Sequence, residues 1–480
     1  MSNEAHNAFL DGLVAPERVR SLKYSPIIKA GKYKHVMVPE SLRQGEPITL
    51  VEVESAEETA SIFEKANREG TPIYVRQGTG GVTLDIIRPE PPGSIVLDLR
   101  RLNWIRPHLD GGYVEVGPAV SESALNEALA PSGFTYPEFI GPVTWGGLAA
   151  SNTSGRSVDS YWGKPGDYLM GLEVVLPTGE IVQTGTRSHR RPCGVDLTHL
   201  FTGFQAMAGT ITNLRLRLVP TPRNTSWGVA YVPTVEAAGR TVAKLYRKGV
   251  PPPRLMELMD DQFLQLGGLA NESRNAVILI GTDGFTSEEA KAKLDAIFEV
   301  AQGLGAAKTE QLTAAEFQKF IGFRNVGEKG DMIKELGLFP LFGGVMDGPL
   351  DAMAPCMEAA GRMLKEVCDA NPGLYGVRIG HIGGGTFHPV FFAPQSWEFD
   401  RLQALAAEMR AHMLKLQLDF DCTTGEQGIF PQHYDWFHRY YGTEYASVVS
   451  RIRDALDPQH ILNDARFQRP DYRNGRGVPT

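Results

Sequence analysis

The chain has 480 residues, 42% of them hydrophobic and 22% charged, which is the makeup of a soluble globular protein with room for two or three cores. A net charge of −8 without any long basic run excludes the clustered Lys/Arg face that a nucleic-acid partner would need. Cys193, Cys356, Cys368 and Cys422 form no CxxC, which excludes a zinc ribbon, an iron–sulfur cluster or a disulfide framework and fits reduced thiols in a cytosol.

In chain order, "MSNEAHNAFLDGLVAPERVR" carries no basic-then-apolar leader pattern. No apolar run approaches the roughly 20 residues needed to span a bilayer. The expected compartment is the cytoplasm, with peripheral docking on a membrane left open. "ITLVEVESAEETASIFEKANREGTPIYVRQGTGGVTLD" predicts strand, helix, strand and loop. Ser55 with Glu58 makes a capping box, Ile62, Phe63 and Ala66 form an apolar face, and Gly70 stops the helix. "SIVLDLRRLN" and "GYVEVGP" read as strands, and "SESALNEALAPSG" as a short helix. From Trp227 onward, strand–amphipathic-helix units repeat, suggesting an α+β layer with helices on one face of a sheet. A boundary is expected near Asn224, after "LVPTPRN". "YASVVSRIRDALDPQHILN" reads as one helix ended by Pro458.

Two glycine-rich stretches, "RQGTGG" and "WGGLAASNTSG", lie between these elements and mix Gly with Ser, Thr and Asn. Turns or linkers are the plain reading. Against it, both are flanked by strong strand or helix signals, and both offer backbone N–H groups unobstructed by Cβ atoms, the makings of a phosphate or pyrophosphate cradle. A GxGxxG fingerprint fails, because Thr83 stands at its third glycine and no helix opens there. A dinucleotide bound here would use a different fold.

These residues resemble the FAD-binding superfamily of vanillyl-alcohol oxidase and p-cresol methylhydroxylase, on the branch of D-lactate dehydrogenases, D-2-hydroxyglutarate dehydrogenases and the glycolate oxidase flavoprotein. "VRQGTGGVTLD" resembles its first pyrophosphate loop and "GPVTWGGLAASNTSG" its second. "DYLMGLEVVLPTGEIVQTG" and "DLTHLFTGFQAMAGTITNLRLRLVP" match its following strands. "RIGHIGGGTFH", "TTGEQGIF" and "DPQHILN" match its C-terminal part, in the same order. The resemblance implies an α+β fold: a two-part FAD-binding domain of the p-cresol methylhydroxylase type, with a cap built on a ferredoxin-like antiparallel sheet. Its parts would be an FAD domain over 1–224, a cap over 225–435 and a segment over 436–480 returning to the FAD domain. By position it places FAD against Gln77, Gly78, Thr79, Gly80, Gly81 and Val82. It also places FAD against Pro142, Val143, Thr144, Gly146, Gly147, Ser151, Asn152, Ser154, Gly155, Gly209, Ile211 and Asn463. The first loop has no histidine, so non-covalent FAD is expected.

His381 and His388 stand seven apart around three glycines, and Glu426 follows. Two imidazoles and a carboxylate could hold a divalent metal such as zinc; alternatively His388 merely caps a strand and Glu426 occupies a turn. In metal-dependent relatives, two such histidines and this glutamate hold the ion, and a histidine directly after the glutamate takes the substrate's proton. Here that residue is Gln427, whose neutral amide accepts no proton at any useful pH. Gly384 and Thr386 also depart from the pattern. Arg324 resembles a carboxylate-binding arginine, but the usual lysine near "LFPLFGG" is missing, which counts against a second substrate carboxylate. His433 and His438 are candidate replacement bases or plain surface histidines. Arg378 is a candidate electrostatic partner for substrate or reduced flavin.

Phe387, Phe391, Phe392, Trp397, Phe430, Tyr434, Trp436 and Phe437 form either cap core or the wall of an apolar substrate pocket. The leading expectation is hydride transfer to flavin N5 from an alcohol carbon, in a 2-hydroxy acid with an apolar or aromatic tail. The electron acceptor would be separate: a protein, a quinone or oxygen. A vanillyl-alcohol-type phenol oxidase, using Arg324, Arg439, Tyr440 and Tyr441 around a phenolate, is a second reading. An inactive flavin-holding subunit of an electron-transfer assembly is a third. Self-association is left open.

Overall fold

Three sheets, each made from a consecutive part of the chain, carry the architecture of this computed structural model. It describes residues 3–23, 47–76, 94–137, 139, 143–153, 155, 163–189, 194–269, 276–324, 335–423 and 434–463. After helix α1 (Asn3–Leu10) come β1 (Val19–Lys23), β2 (Pro47–Glu52), α2 (Ala56–Glu69), β3 (Ile73–Arg76) and β4 (Ile95–Asp98). The sheet order is β1-β2-β4-β3, with β2 and β3 parallel to β4. Helix α2 starts where the Ser55 hydroxyl accepts from the Glu58 N–H at 3.1 Å and ends at Gly70, left-handed with φ 64°. It buries Ile62, Phe63 and Ala66 against the sheet. The parallel strands end together, with Glu52, Asp98 and Arg76 in register, so the chain leaves β3 at the carboxyl edge where α/β sheets bind ligands.

The second sheet has the order β5-β6-β9-β7-β8, from β5 (Ile105–His108), β6 (Tyr113–Val116), β7 (Leu169–Val175), β8 (Ile181–Gln183) and β9 (Thr210–Arg217). Packed on it are α3 (Glu122–Leu129), α4 (Trp145–Ser151), α5 (Pro165–Tyr168) and α6 (Leu197–Phe201). Tyr136, fully buried, meets Trp145 and Tyr168 edge-on at 4.8 and 5.5 Å, the geometry that ring quadrupoles favour.

The third sheet begins with β10 (Asn224–Val232) and has eight strands, all antiparallel. In chain order follow α7 (Val235–Lys248), β11 (Leu255–Met259), α8 (Asp261–Leu266), β12 (Ala276–Gly284), α9 (Ser287–Gln302), β13 (Lys308–Leu312) and α10 (Ala314–Arg324). Then come β14 (Leu338–Gly343), β15 (Met346–Asp347), α11 (Met353–Ala370), β16 (Tyr375–His381), β17 (Thr386–Pro394) and α12 (Phe399–Asp419). The order is β13-β10-β12-β11-β16-β17-β14, with β15 on β17. Helices α7, α9, α11 and α12 cover one face, whereas α8 and α10 cover the other. The expectation of helices on one face only is therefore corrected. The central strands are apolar on both sides ("LMELM", "AVILI"), and both sides need a covering layer.

Helix α13 (Tyr434–Leu456) is interrupted at Gly442, whose φ of 82° breaks the helical path. Phe437 of this helix joins one apolar cluster with Met207 near the second sheet and with Leu414 and Leu418 of α12, so α13 lies between the second sheet and the helices of the third. Beyond it, Ile461–Asn463 lie parallel to β3, with Ile73 N–H donating to Ile461 O at 2.7 Å and Asn463 N–H to Ile73 O at 3.0 Å.

Candidate functional site

Four pieces of backbone converge at the carboxyl edge of β3. Asn463, buried and left-handed at φ 45°, accepts from the Val75 N–H at 2.8 Å and donates to Gln205 O at 3.1 Å. Gln205 and Ala206 are consecutive left-handed residues at φ 54° and 57°, an uncommon strain for residues with side chains and one typical of functional turns. Their turn closes the end of α4, with Gly203 and Gln205 N–H donating to Ala149 and Ala150 O, each at 2.9 Å.

The stretch "WGGLAAS" was expected as a loop and is instead this short helix, because Thr144 is extended ahead of it and Asn152 is left-handed after it. Within it, Gly146 N–H donates to Pro118 O at 2.9 Å, and the Ser151 hydroxyl donates to Gly147 O at 2.8 Å. Asn152 accepts from the Gly166 N–H at 3.0 Å, which docks α5. Val143 and Ile211 join the apolar core of the second sheet, and Gly209 is needed for packing, since a Cβ there would meet Val174 Cγ1 at 2.5 Å. Gly155 is buried. Gln77, Gly78, Thr79, Gly80, Gly81, Val82, Pro142 and Ser154 lie outside the described residues. Among the described residues, the buried Thr144 Oγ1, Trp145 Nε1 and Thr210 Oγ1 have no hydrogen-bond partner. They sit on α4 and β9, which pack together. Orphaned buried polar atoms cost about 1–3 kcal/mol each, so a polar ligand that took them up would be held firmly. The residues present therefore fit FAD.

The second cluster lies on the α8/α10 face of the eight-stranded sheet. Glu257 on β11 is directly opposite His381 on β16, and its carboxylate bonds the His381 ring nitrogen Nδ1. Its other oxygen accepts from Arg324 Nε at 3.1 Å. Arg324 is carried there by α10, where Phe317, Ile321 and Arg324 share one buried face at helical spacing. His388 on β17 pairs with Ile379, two residues before His381, and so stands on the same face. The two imidazoles meet edge-on with centroids 5.4 Å apart, and His388 Nδ1 donates to Gly344 O at 3.1 Å. A carboxylate and a carbonyl only accept, so each ring donates from Nδ1. That is the outer-sphere arrangement of metal-ligating histidines. Among the described residues no three His, Cys, Asp or Glu side chains converge as a complete ligand set. Glu426, Gln427 and His433 lie outside them. The two buttressed rings fit the histidine half of a metal site.

Glu257 was not anticipated. Its signal was present: a single carboxylate inside the apolar run "LMELM" has to be paired when buried. Arg378, by contrast, is not brought to His381. Three residues away on one strand means the opposite face, and there Arg378 Nη1 donates to Glu236 at 2.9 Å and to Met357 O at 3.0 Å. Of the aromatic set, Phe387 and Phe391 fill the core under α11 and α12, Trp397 packs at its margin, and Phe392 belongs to the α8/α10 side. Phe430 lies outside the described residues, as do the side chains of Tyr434 and Trp436.

The pattern described as "FAD linked oxidases, C-terminal domain" matches residues 221–466, and that described as "FAD binding domain" matches 47–185. The mitochondrial D-lactate dehydrogenase [cytochrome] of Arabidopsis thaliana is 28% identical, over 88% of this chain and 74% of that one. Glycolate oxidase subunit GlcD of Bacillus subtilis is 26% identical, over 90% and 91%. The structure of p-cresol methylhydroxylase with substrate bound superposes with a TM-score of 0.73 at 15% identity, over 97% of each chain. That of 4-ethylphenol oxidase from Gulosibacter chungangensis, in its isoeugenol complex, does so with 0.73 at 18%, over 98% and 99%. The fold is that of the p-cresol methylhydroxylase group, and the chain belongs to the FAD-linked oxidases.

Proposed function

We propose that this flavoenzyme removes hydride from the alcohol carbon of a small 2-hydroxy acid with an apolar or aromatic tail. The observation that carries the reading is the pair of buttressed imidazoles, His381 and His388, on one sheet face with Arg324. The names of the D-lactate and glycolate relatives support the substrate class. Bound FAD supplies the hydride acceptor at N5, and a bound divalent cation such as zinc polarises the substrate hydroxyl. His381, His388 and Glu426 are the residues that would hold the cation. Arg324 pairs with the substrate carboxylate. Gln427 hydrogen-bonds at the reacting oxygen without taking its proton, and His433 is the base we assign in its place. The FAD unit spans 1–224 with 436–480, the cap 225–435, and a separate protein, quinone or oxygen reoxidises the flavin. Among the described residues no helix is long and apolar enough to cross a membrane.

Anaerobic mixing of the purified yellow protein with D-lactate, glycolate, aromatic 2-hydroxy acids and para-alkylphenols tests this. Bleaching of the flavin by hydroxy acids, abolished by chelator and restored by zinc or manganese, is expected. Bleaching by phenols alone, indifferent to chelator, would overturn it in favour of the phenol-oxidase chemistry.

A further inference from the structure

Glu257 is fully buried in the middle of a strand whose every residue is buried, and its two oxygens go to two different functional groups. Folding alone does not call for it. A buried ion pair roughly repays its own desolvation, and an apolar side chain of similar volume would serve the strand as well or better. What an apolar side chain could not do is act on His381 and Arg324 at once. By accepting from Nδ1 it fixes the His381 tautomer and ring plane with Nε2 as the coordinating atom. By accepting from Nε it sets the direction of the Arg324 guanidinium on the last turn of α10. The cross-strand register of β11 and β16 makes this placement rigid, since Glu257 and His381 are directly paired.

We propose that Glu257 is a positioning residue that ties the metal-binding half of the site to its carboxylate-binding half, so that metal and substrate each bind better in the presence of the other. The proposal rests on reading His381 and His388 as metal ligands and Arg324 as the carboxylate contact. Glu257 itself touches neither substrate nor ion. Its negative charge stands between a guanidinium and an imidazole, and partial withdrawal of either toward a ligand shifts its hold on the other. Linkage then requires the coupling to be reciprocal.

The test uses chelator-stripped, FAD-loaded wild type, Glu257→Gln, Glu257→Asp, Glu257→Leu and His388→Ala. Zinc affinity is measured by competition with a chromophoric chelator, with and without oxalate, a carboxylate that has no hydride to lose. Flavin content, melting temperature and the split between KM and kcat are recorded alongside. Wild type is expected to bind one zinc, more tightly with oxalate, and His388→Ala to lose it. Glu257→Gln keeps the shape of the side chain and should lower zinc affinity about 10- to 100-fold, the usual loss for an outer-sphere partner. It should also raise KM, weaken the oxalate effect and leave flavin content unchanged, with Glu257→Asp recovering part of the loss. Unchanged zinc affinity and oxalate effect in folded Glu257→Gln would overturn the positioning role while the metal reading stands. No zinc binding by wild type would remove the metal reading and this proposal with it. If Glu257→Leu fails to fold, the Gln and Asp variants still decide the matter.

Discussion

The strand pair β11 and β16 carries an ionic cluster on each face, and the two clusters are built differently. On the α8/α10 face one anion, Glu257, is shared by Arg324 and His381, and a second imidazole stands beside them. On the opposite face one cation, Arg378, is shared by Glu236 on α7 and Asp260 ahead of α8, and the Nη1 that meets Glu236 also donates to the main-chain Met357 O. Asp260 in turn accepts from the Arg378 N–H at 2.6 Å and the Phe263 N–H at 2.9 Å, capping α8. The second cluster spends its polar atoms on backbone and helix ends. It braces the sheet to its helices. The first gathers a carboxylate, a guanidinium and two imidazoles, the side-chain types that bind cations and carboxylates. Charge and burial alone do not separate a brace from a site; the chemistry of the partners does.

Substitutions can sharpen or break that distinction. His388→Ala should cost the most, about 10³-fold in kcat for flavin reduction with loss of bound metal, since Lewis-acid help is worth several kcal/mol. Full activity in the metal-free variant would erase the contrast. Arg378→Met should instead cost about 3 kcal/mol of stability in denaturant titration, because it strands two carboxylates, with kcat per bound flavin retained. A collapse of kcat in a stable Arg378→Met protein would return that arginine to the reacting centre.

Burial pushes the Asp260 carboxyl up to about 6 from its ordinary 3.8, against the opposing pull of Arg378 and the two N–H donors. The folded chain then holds a proton that the unfolded chain releases between those values. This contribution to stability is full below pH 3.8 and lost as pH rises through about 6. Wild type minus Asp260→Asn should therefore show a fall of about 3 kcal/mol from pH 3 to pH 7 in urea midpoints. A pH-independent difference would show that the carboxyl is already ionised across this range. Smallest in energy, Asn463→Ala should lose about 2 kcal/mol by leaving the Val75 N–H buried and unpaired, and should speed flavin release, read as fluorescence of free FAD. Unchanged stability and release would separate that brace from the cofactor.

The alternation of buried positions and the helix caps were written plainly in the chain. Ser55, Glu58 and Gly70 bound α2 where the capping pattern puts them, because those signals act within a few residues. Segment "WGGLAAS" misled, since its glycines suggest a loop while its helix depends on long-range partners: Pro118 O, and the N–H groups of Gly203 and Gln205. Arg378 misled for a related reason: nearness along "RIGH" stood in for nearness in space, although strand parity separates the two side chains. Glu257 stayed unseen because its partners, His381 and Arg324, lie 124 and 67 residues away.

The pairing of Ile461–Asn463 with β3 has a bearing on biogenesis. Asn463 and Val75 are 388 residues apart, and the whole third sheet is translated between them. Nascent chain ending before the third sheet lacks the segment that bridges to Ile73 and bonds the Val75 N–H. Lasting flavin retention is then expected only once α13 has been translated, with ribosome-stalled fragments ending before it colourless.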